Sequence, residues 1–200
     1  MVISVRKSVL LRHQVLSMPL ALTNRRRLYG LALDQYGYVT TTNAETLGVP
    51  PVELRKLAQR GGLHNVGYGL YRFDDVPVSE RDQYMEAVLR VGPDAFLTGD
   101  TVLSFHDLGL VNPRRIKVGT PRRVRAALPP SIEVVRAHLA PDELTLYEGI
   151  PSATVARALR DCQAVLMADR LVDAFREARR RGLLRARDAD RLAAELGIAA

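Results

Sequence analysis

The 200 residues carry 29 Lys/Arg against 22 Asp/Glu, a net charge of +7, and 47% are hydrophobic. That is enough apolar material for one large or two small cores without covalent staples. The single cysteine, Cys162, excludes a disulfide framework and a cysteine-based zinc site and fits a reducing cytoplasm.

The basic excess is uneven. Residues 1–75 hold 10 Lys/Arg against 5 Asp/Glu, and residues 76–200 hold 19 against 17. A net of +5 against +2 points to a polyanionic partner for the N-terminal third. In residues 1–22, Arg6, Lys7, Arg12 and His13 interrupt the apolar pieces before any run reaches signal-peptide or membrane-span length. A loosely ordered leader is expected there, with Met18 an alternative start, and no membrane partner.

Thr23 or Asn24 can cap a helix through RRRLYGLALDQ, in which Leu28, Leu31 and Ala32 recur at helical spacing and Gly37 supplies a stop. A Tyr38–Thr40 strand follows. Thr42 and Glu45 then stand at capping-box spacing and open a very short helix that Leu47 buries and Gly48 ends. Pro50 and Pro51 are pre-set for the first turn of the next helix. At 100° per residue, Leu54, Leu57 and Ala58 lie within about 60° of one another and face a core. Val52, Glu53, Arg55, Lys56, Gln59 and Arg60 make the opposite, donor-rich strip. Gly61-Gly62 releases the chain into LHNV and LYRF, a hairpin turned at Gly67-Tyr68-Gly69.

Two helices joined by a Leu-Gly-Val turn and followed by a hairpin predict a winged helix-turn-helix over residues 23–75. Its second helix would enter a major groove. Arg55, Lys56 and Arg60 suit phosphates or guanine edges, Gln59 suits adenine, and Val52 suits a thymine methyl. The short helix and the hairpin add Thr42, Asn43, His64, Asn65 and Tyr68 to the expected contacts with double-stranded DNA. The alternative is that the same elements mediate protein contacts through an ordinary solvated face.

Asp74–Pro77 reads as a seam, at which a cut is expected to expose little. Residues 78–200 read as a mixed α/β domain ending in helices, which makes the whole chain α+β. Helices are expected near Ser79–Arg90 and Thr101–Leu108, β-rich pieces at IKVG, IEVVRAH and LTLYEG, and helices from Ser152 onward. In RLVDAFREARRRGLL, Arg176, Arg179 and Arg180 oppose a stripe of Leu171, Phe175 and Ala178. With Arg181 they form a second candidate contact for DNA or an acidic partner, or for cooperative self-association on DNA. All four are expected to be dispensable for folding.

No cofactor or metal motif is found, and no catalytic residue is assigned. Gly67-Tyr68-Gly69 lacks the lysine and third glycine of a phosphate loop. Asp188 and Asp190 point about 200° apart on a helix, beside Arg187 and Arg191. His13, His64, His106 and His138 are scattered, and His106 is expected to be a hydrogen-bonded core or edge residue. Lys117 has Arg115 where a restriction-type nuclease would place an acid. Ser104 near His106 does not by itself make a nucleophile and base.

The segments TLGVPPVELRKLAQRGGLHNVGYGLYRF, FLTGDTVLSFHDLGL and GIPSATVARALRDC, in that order, resemble the AbiE-type (AbiEi family) antitoxins of bacterial type IV toxin–antitoxin systems. The resemblance spans about residues 23–165, with Thr98-Gly99 standing where the family has Ser-His and Ala158 where it has Thr. It implies a cytoplasmic protein that represses its own operon through the N-terminal domain. It also implies that residues 78–200 neutralise a nucleotidyltransferase-like toxin, without a stable complex being required. The competing expectation is a stand-alone winged-helix regulator whose C-terminal domain senses a ligand or oligomerises.

Overall fold

The Thr23 hydroxyl accepts a hydrogen bond from the Arg26 amide and starts the first helix of the computed structural model, which describes residues 23–198. The expected leader, residues 1–22, lies outside the described residues. Helix α1 (Asn24–Leu33) buries Leu28 and Ala32. The chain then reverses through Gly37, whose φ of +87° suits glycine and where an added Cβ would stand 3.0 Å from Val76 Cβ. Strand β1 (Tyr38–Thr40) runs directly into α2 (Thr41–Thr46).

That continuity corrects the expected cap. The capping box is Thr40 with Asn43, not Thr42 with Glu45: Thr40 Oγ1 accepts from the Asn43 amide at 3.0 Å and Asn43 Oδ1 accepts from the Thr40 amide at 2.9 Å. Thr40 is the last extended residue, so it alone has the backbone geometry of a cap. Pro50 then caps α3 (Pro51–Arg60), with Pro51 in its first turn.

Strands β2 (Leu63–Gly67) and β3 (Leu70–Phe73) complete an antiparallel sheet of order β1-β3-β2, with a register shift between Asn65 and Gly67. Because side chains alternate across a strand, this sheet serves two cores. Val39, Tyr71 and Phe73 point into a cluster with Leu28, Leu54 and Val49 from the α1–α3 side. Tyr38 and Leu70 point the other way, into the larger cluster of the rest of the chain.

The second half is a five-stranded mixed sheet flanked by helices, so the fold is α+β. Its strands are β4 (Phe96–Leu97), β5 (Ile116–Thr120), β6 (Ile132–Arg136), β7 (Leu144–Tyr147) and β8 (Ile150–Ala153), in the order β6-β5-β4-β8-β7. Pairs β5–β6 and β4–β8 are parallel, and β4–β5 and β7–β8 antiparallel. Its helices are α4 (Asp82–Val91), α5 (Asp100–Phe105), α6 (Val155–Asp161), α7 (Ala168–Arg180) and α8 (Ala186–Leu196). Two strands were not expected: β4, only two residues long, and β8, where helix was expected from Ser152. Thr154 caps α6, and the residues before it pair with β4 and β7 instead.

The expectation of an inexpensive cut at Asp74–Pro77 is corrected. Arg72 donates to Asp82 Oδ2 at 2.9 Å and to the carbonyls of Phe73, Val76 and Pro77. The other oxygen of Asp82 accepts from the amide and hydroxyl of Ser79. Arg72 and Asp82 are 8% and 6% exposed. Tyr38 donates to Glu86 at 2.9 Å, Arg90 donates to the Val66 carbonyl, and Tyr36 donates to the Glu148 carbonyl at 2.8 Å. The seam is therefore a packed polar interface.

His106, just beyond α5, is buried, with its ring edge-on to Tyr147 at 4.2 Å between centroids. It is a core residue, but its Nε2 has no partner among the described residues, contrary to the expected hydrogen bond. Burial first, then the charges of Arg181 and Arg81, lower its pKa to about 4.

Removing one member of the buried pair, as in Arg72→Ala or Asp82→Ala, should cost about 3 to 5 kcal/mol in urea unfolding, because the other charge stays buried without its partner. A chain cut at 77/78 should lose cooperative unfolding at the wild-type midpoint. For His106 the unfolded state takes up a proton near pH 6.5 and the folded state only near pH 4, so stability falls as pH drops through that interval. His106→Phe should remove about 1 to 3 kcal/mol of the stability difference between pH 7 and pH 4.5, measured by urea titration at both pH values.

Candidate nucleic-acid interface

Helix α3 presents its outer strip as its periodicity dictates. Leu54 is fully buried, while Val52, Arg55, Lys56, Gln59 and Arg60 are exposed. Lys56 Nζ lies 2.8 Å from Glu53 Oε1, an exposed pair of small net energy that a phosphate can displace. The turn before α3 is held from behind by Arg27, which donates to the Leu47 carbonyl.

The other expected residues fall into two groups. Thr42, Asn43 and Tyr68 line one cleft of about 220 Å³ between the start of α2 and the hairpin turn. Tyr68, at the turn, is fully exposed, and Thr42 is exposed as well. Asn43 is committed to the cap of α2, so its amide oxygen already has a donor. His64 and Asn65 are exposed on β2, and the His64 ring meets the Asp74 carboxylate.

The charge argument for this region weakens in the structure. Arg6, Lys7 and Arg12 supply three of the ten positive charges of the first 75 residues and lie outside the described ones. Residues 23–75 hold 7 Lys/Arg against 5 Asp/Glu, a net of +2. Of the seven, Arg25 pairs with Asp75 at 3.0 Å, Arg72 is buried and Lys56 faces Glu53.

The α7 arginines are not one free cluster. Arg180 is paired with Glu177, and Arg176 lies 3.9 Å from Asp173. Arg176 and Arg180 share a cleft with Asp173, Glu177 and Asp107, so that face carries both signs. Arg179 is exposed. Arg181, expected to be dispensable, donates to the His106 carbonyl and joins the end of α7 to the end of α5. The buried stripe of α7 is Leu171, Ala174, Phe175 and Ala178.

Elsewhere the chemistry is structural. Lys117 Nζ sits 3.0 Å from Asp100, and the Lys117 amide donates to Thr101 Oγ1. Burial pushes the Cys162 thiol up to about 12, which leaves it a small hydrophobe rather than a nucleophile. Asp188 is near Arg185 and Arg187. Among the described residues no three of His, Cys, Asp and Glu gather closely enough to hold a metal ion, and no helix is long and apolar enough to cross a membrane. No family model and no curated protein matches the chain.

Arg181 is exposed, but its bond to the His106 carbonyl is part-buried, and such a charged donor contributes more than an arginine paired only at the surface. Arg181→Ala should therefore lower the unfolding free energy by about 1.5 to 3 kcal/mol. The triple change of Arg176, Arg179 and Arg180 to Ala should shift it by about 1 kcal/mol or less. Urea midpoints of the two variants compared with wild type separate the cases.

Proposed function

We propose that residues 23–75 form a winged helix-turn-helix that binds double-stranded DNA, with α3 in the major groove and the β2–β3 hairpin as the wing. The observation that carries this is the exposed, donor-bearing face of α3 formed by Val52, Arg55, Lys56, Gln59 and Arg60. Its support is the element order of two helices, a tight turn and a hairpin whose tip, Tyr68, is fully exposed. We further propose that the chain is an AbiE-type antitoxin of the cytoplasm. Through α3 it represses its own toxin–antitoxin operon, and through residues 78–200 it neutralises a nucleotidyltransferase-like toxin. This rests on the three ordered segments identified in the sequence.

A second function has one observation in its favour. A cleft of about 530 Å³ opens in the C-terminal half, between Pro93, Phe96, Pro121, Leu139, Leu146 and Ser152, the size of a small-molecule site. It suits a stand-alone regulator whose C-terminal half senses a ligand. Co-expression with the adjacent reading frame separates the two. Growth arrest by the neighbour, relieved by this protein, supports the antitoxin, and a harmless neighbour supports the regulator.

On the DNA reading, Lys56→Ala should weaken all duplexes alike. Arg55→Ala and Gln59→Ala should each also relax sequence preference, by about 1 to 3 kcal/mol where the contact is bidentate. Gel shifts of operator and scrambled duplexes measure both effects. Normal operator binding by a variant with Arg55, Lys56 and Gln59 all changed to Ala would remove α3 as the recognition helix.

A further inference from the structure

A long stretch of nearly unopposed positive charge lies in the C-terminal half of the chain. Residues 113–136 hold seven Lys/Arg and a single acid, Glu133, an excess that the near-neutral total for residues 76–200 conceals. The segment forms β5 and β6, and β6 is an edge strand of the five-stranded sheet. Arg114, Arg115, Arg122, Arg123, Arg125 and Arg136 are all exposed. Of these six, only Arg122 has an acidic partner among the described residues, Asp94.

The arginines lie at both ends of the β5–β6 pair. Arg114 and Arg115 precede β5. Beyond its far end, Arg122, Arg123 and Arg136 converge on one cleft of about 320 Å³, floored by Val124, Leu128 and Val134. Parallel register puts Arg136 opposite Thr120, two residues before Arg122. From Arg115 to Arg122 the chain runs along β5, which at about 3.3 Å per residue places the two groups about 20 Å apart. Protection of a bare sheet edge does not account for this, because that task falls to charges on the strand, and β6 itself carries only Glu133 and Arg136.

We propose that this arginine edge is a second, sequence-independent contact for the phosphodiester backbone of double-stranded DNA. The inference rests on the protein being a duplex-DNA binder through α3. A duplex presents a phosphate about every 3.4 Å on each strand, so a 20 Å edge spans roughly six on one strand. Residues 113–136 contain no Phe, Tyr, Trp or His, hence no platform on which unpaired bases could stack, which disfavours single strands. Arginine also anchors protein interfaces, so an acidic protein partner is an outcome of the test, for which polyglutamate stands.

The test uses full-length protein, a non-operator 30-base-pair DNA duplex and fluorescence anisotropy over a salt series. Changing Arg115, Arg123, Arg125 and Arg136 to Ala should lower the slope of log K against log salt by about 3.6 and weaken operator and non-operator duplexes by the same factor, roughly a thousandfold at about 0.15 M salt. The four Arg→Lys changes should retain most of the slope, since phosphate needs the charge rather than the fork. If the alanine set fails to fold, Arg123→Ala and Arg125→Ala, in the exposed loop, should each lower the slope by about 0.9. A folded alanine set with unchanged slope and affinity overturns the edge contact. So does a set that loses binding only to single-stranded DNA, to duplex RNA or to polyglutamate. The α3 variants are measured in parallel. If they keep full sequence preference, the α3 assignment fails while the slope still decides the edge, and if only the edge variants bind normally, the edge alone fails.

Discussion

Arg72 sits on the middle strand of a three-stranded sheet and reaches 2.9 Å to Asp82 at the start of α4, with both side chains about nine-tenths buried. Taking two such charges out of water is expensive, and the cost is offset only where geometry and further hydrogen bonds are good. Here they are. The guanidinium also donates to three carbonyls of the connecting segment and lies 5.6 Å from the Tyr38 ring centroid, and the carboxylate caps Ser79. This pair fixes the path from β3 into α4, and with it the angle between the α3 face and everything beyond residue 78.

Around that pair the small sheet is shared rather than owned. Its Val39–Tyr71–Phe73 side closes the core beneath α1–α3, and its Tyr38–Leu70 side closes the larger one. Arg90 from α4 grips the carbonyl of Val66 on β2, so even the hairpin is tied back to the second half. For a protein proposed to repress through one half and neutralise through the other, this matters physically. What joins the two halves is a buried ion pair and not a loose linker.

Charge is distributed on a different plan from apolar surface. Beside and on α3, Arg25 stands by Asp75 and Lys56 by Glu53, while Arg55 and Arg60 have no acidic partner among the described residues. Such a mixed face suits recognition, in which correct placement of donors discriminates more than total charge does. On the β5–β6 edge the arginines have almost no acidic company, the arrangement expected of a surface that draws in a polyanion without reading it.

Much of this was legible in the residues. The stripe of Leu54, Leu57 and Ala58 set the buried side of α3, Pro50-Pro51 set its start, and the glycines around Tyr68 set the hairpin, because period and turn chemistry are local. The cap of α2 was misplaced, since Thr40 and Thr42 differ only in where β1 stops, and β1 stops where its pairing with β3 ends. The exposed positions of Arg55, Gln59 and Arg60 followed from phase alone. The commitment of Asn43 to its cap and of Arg181 to the His106 carbonyl did not, because each partner is chosen by chain geometry. Strand β4 carries only two residues, too few for a periodicity, and β8 contains Pro151 and leads directly into the cap of α6; both are strands because neighbours pair with them. The seam at Asp74–Pro77 looked open because acidic residues and a proline usually mark solvent. Only the folded chain brings Arg72 and Asp82, ten residues apart, into one buried contact, since that requires β3 and α4 to be packed together first.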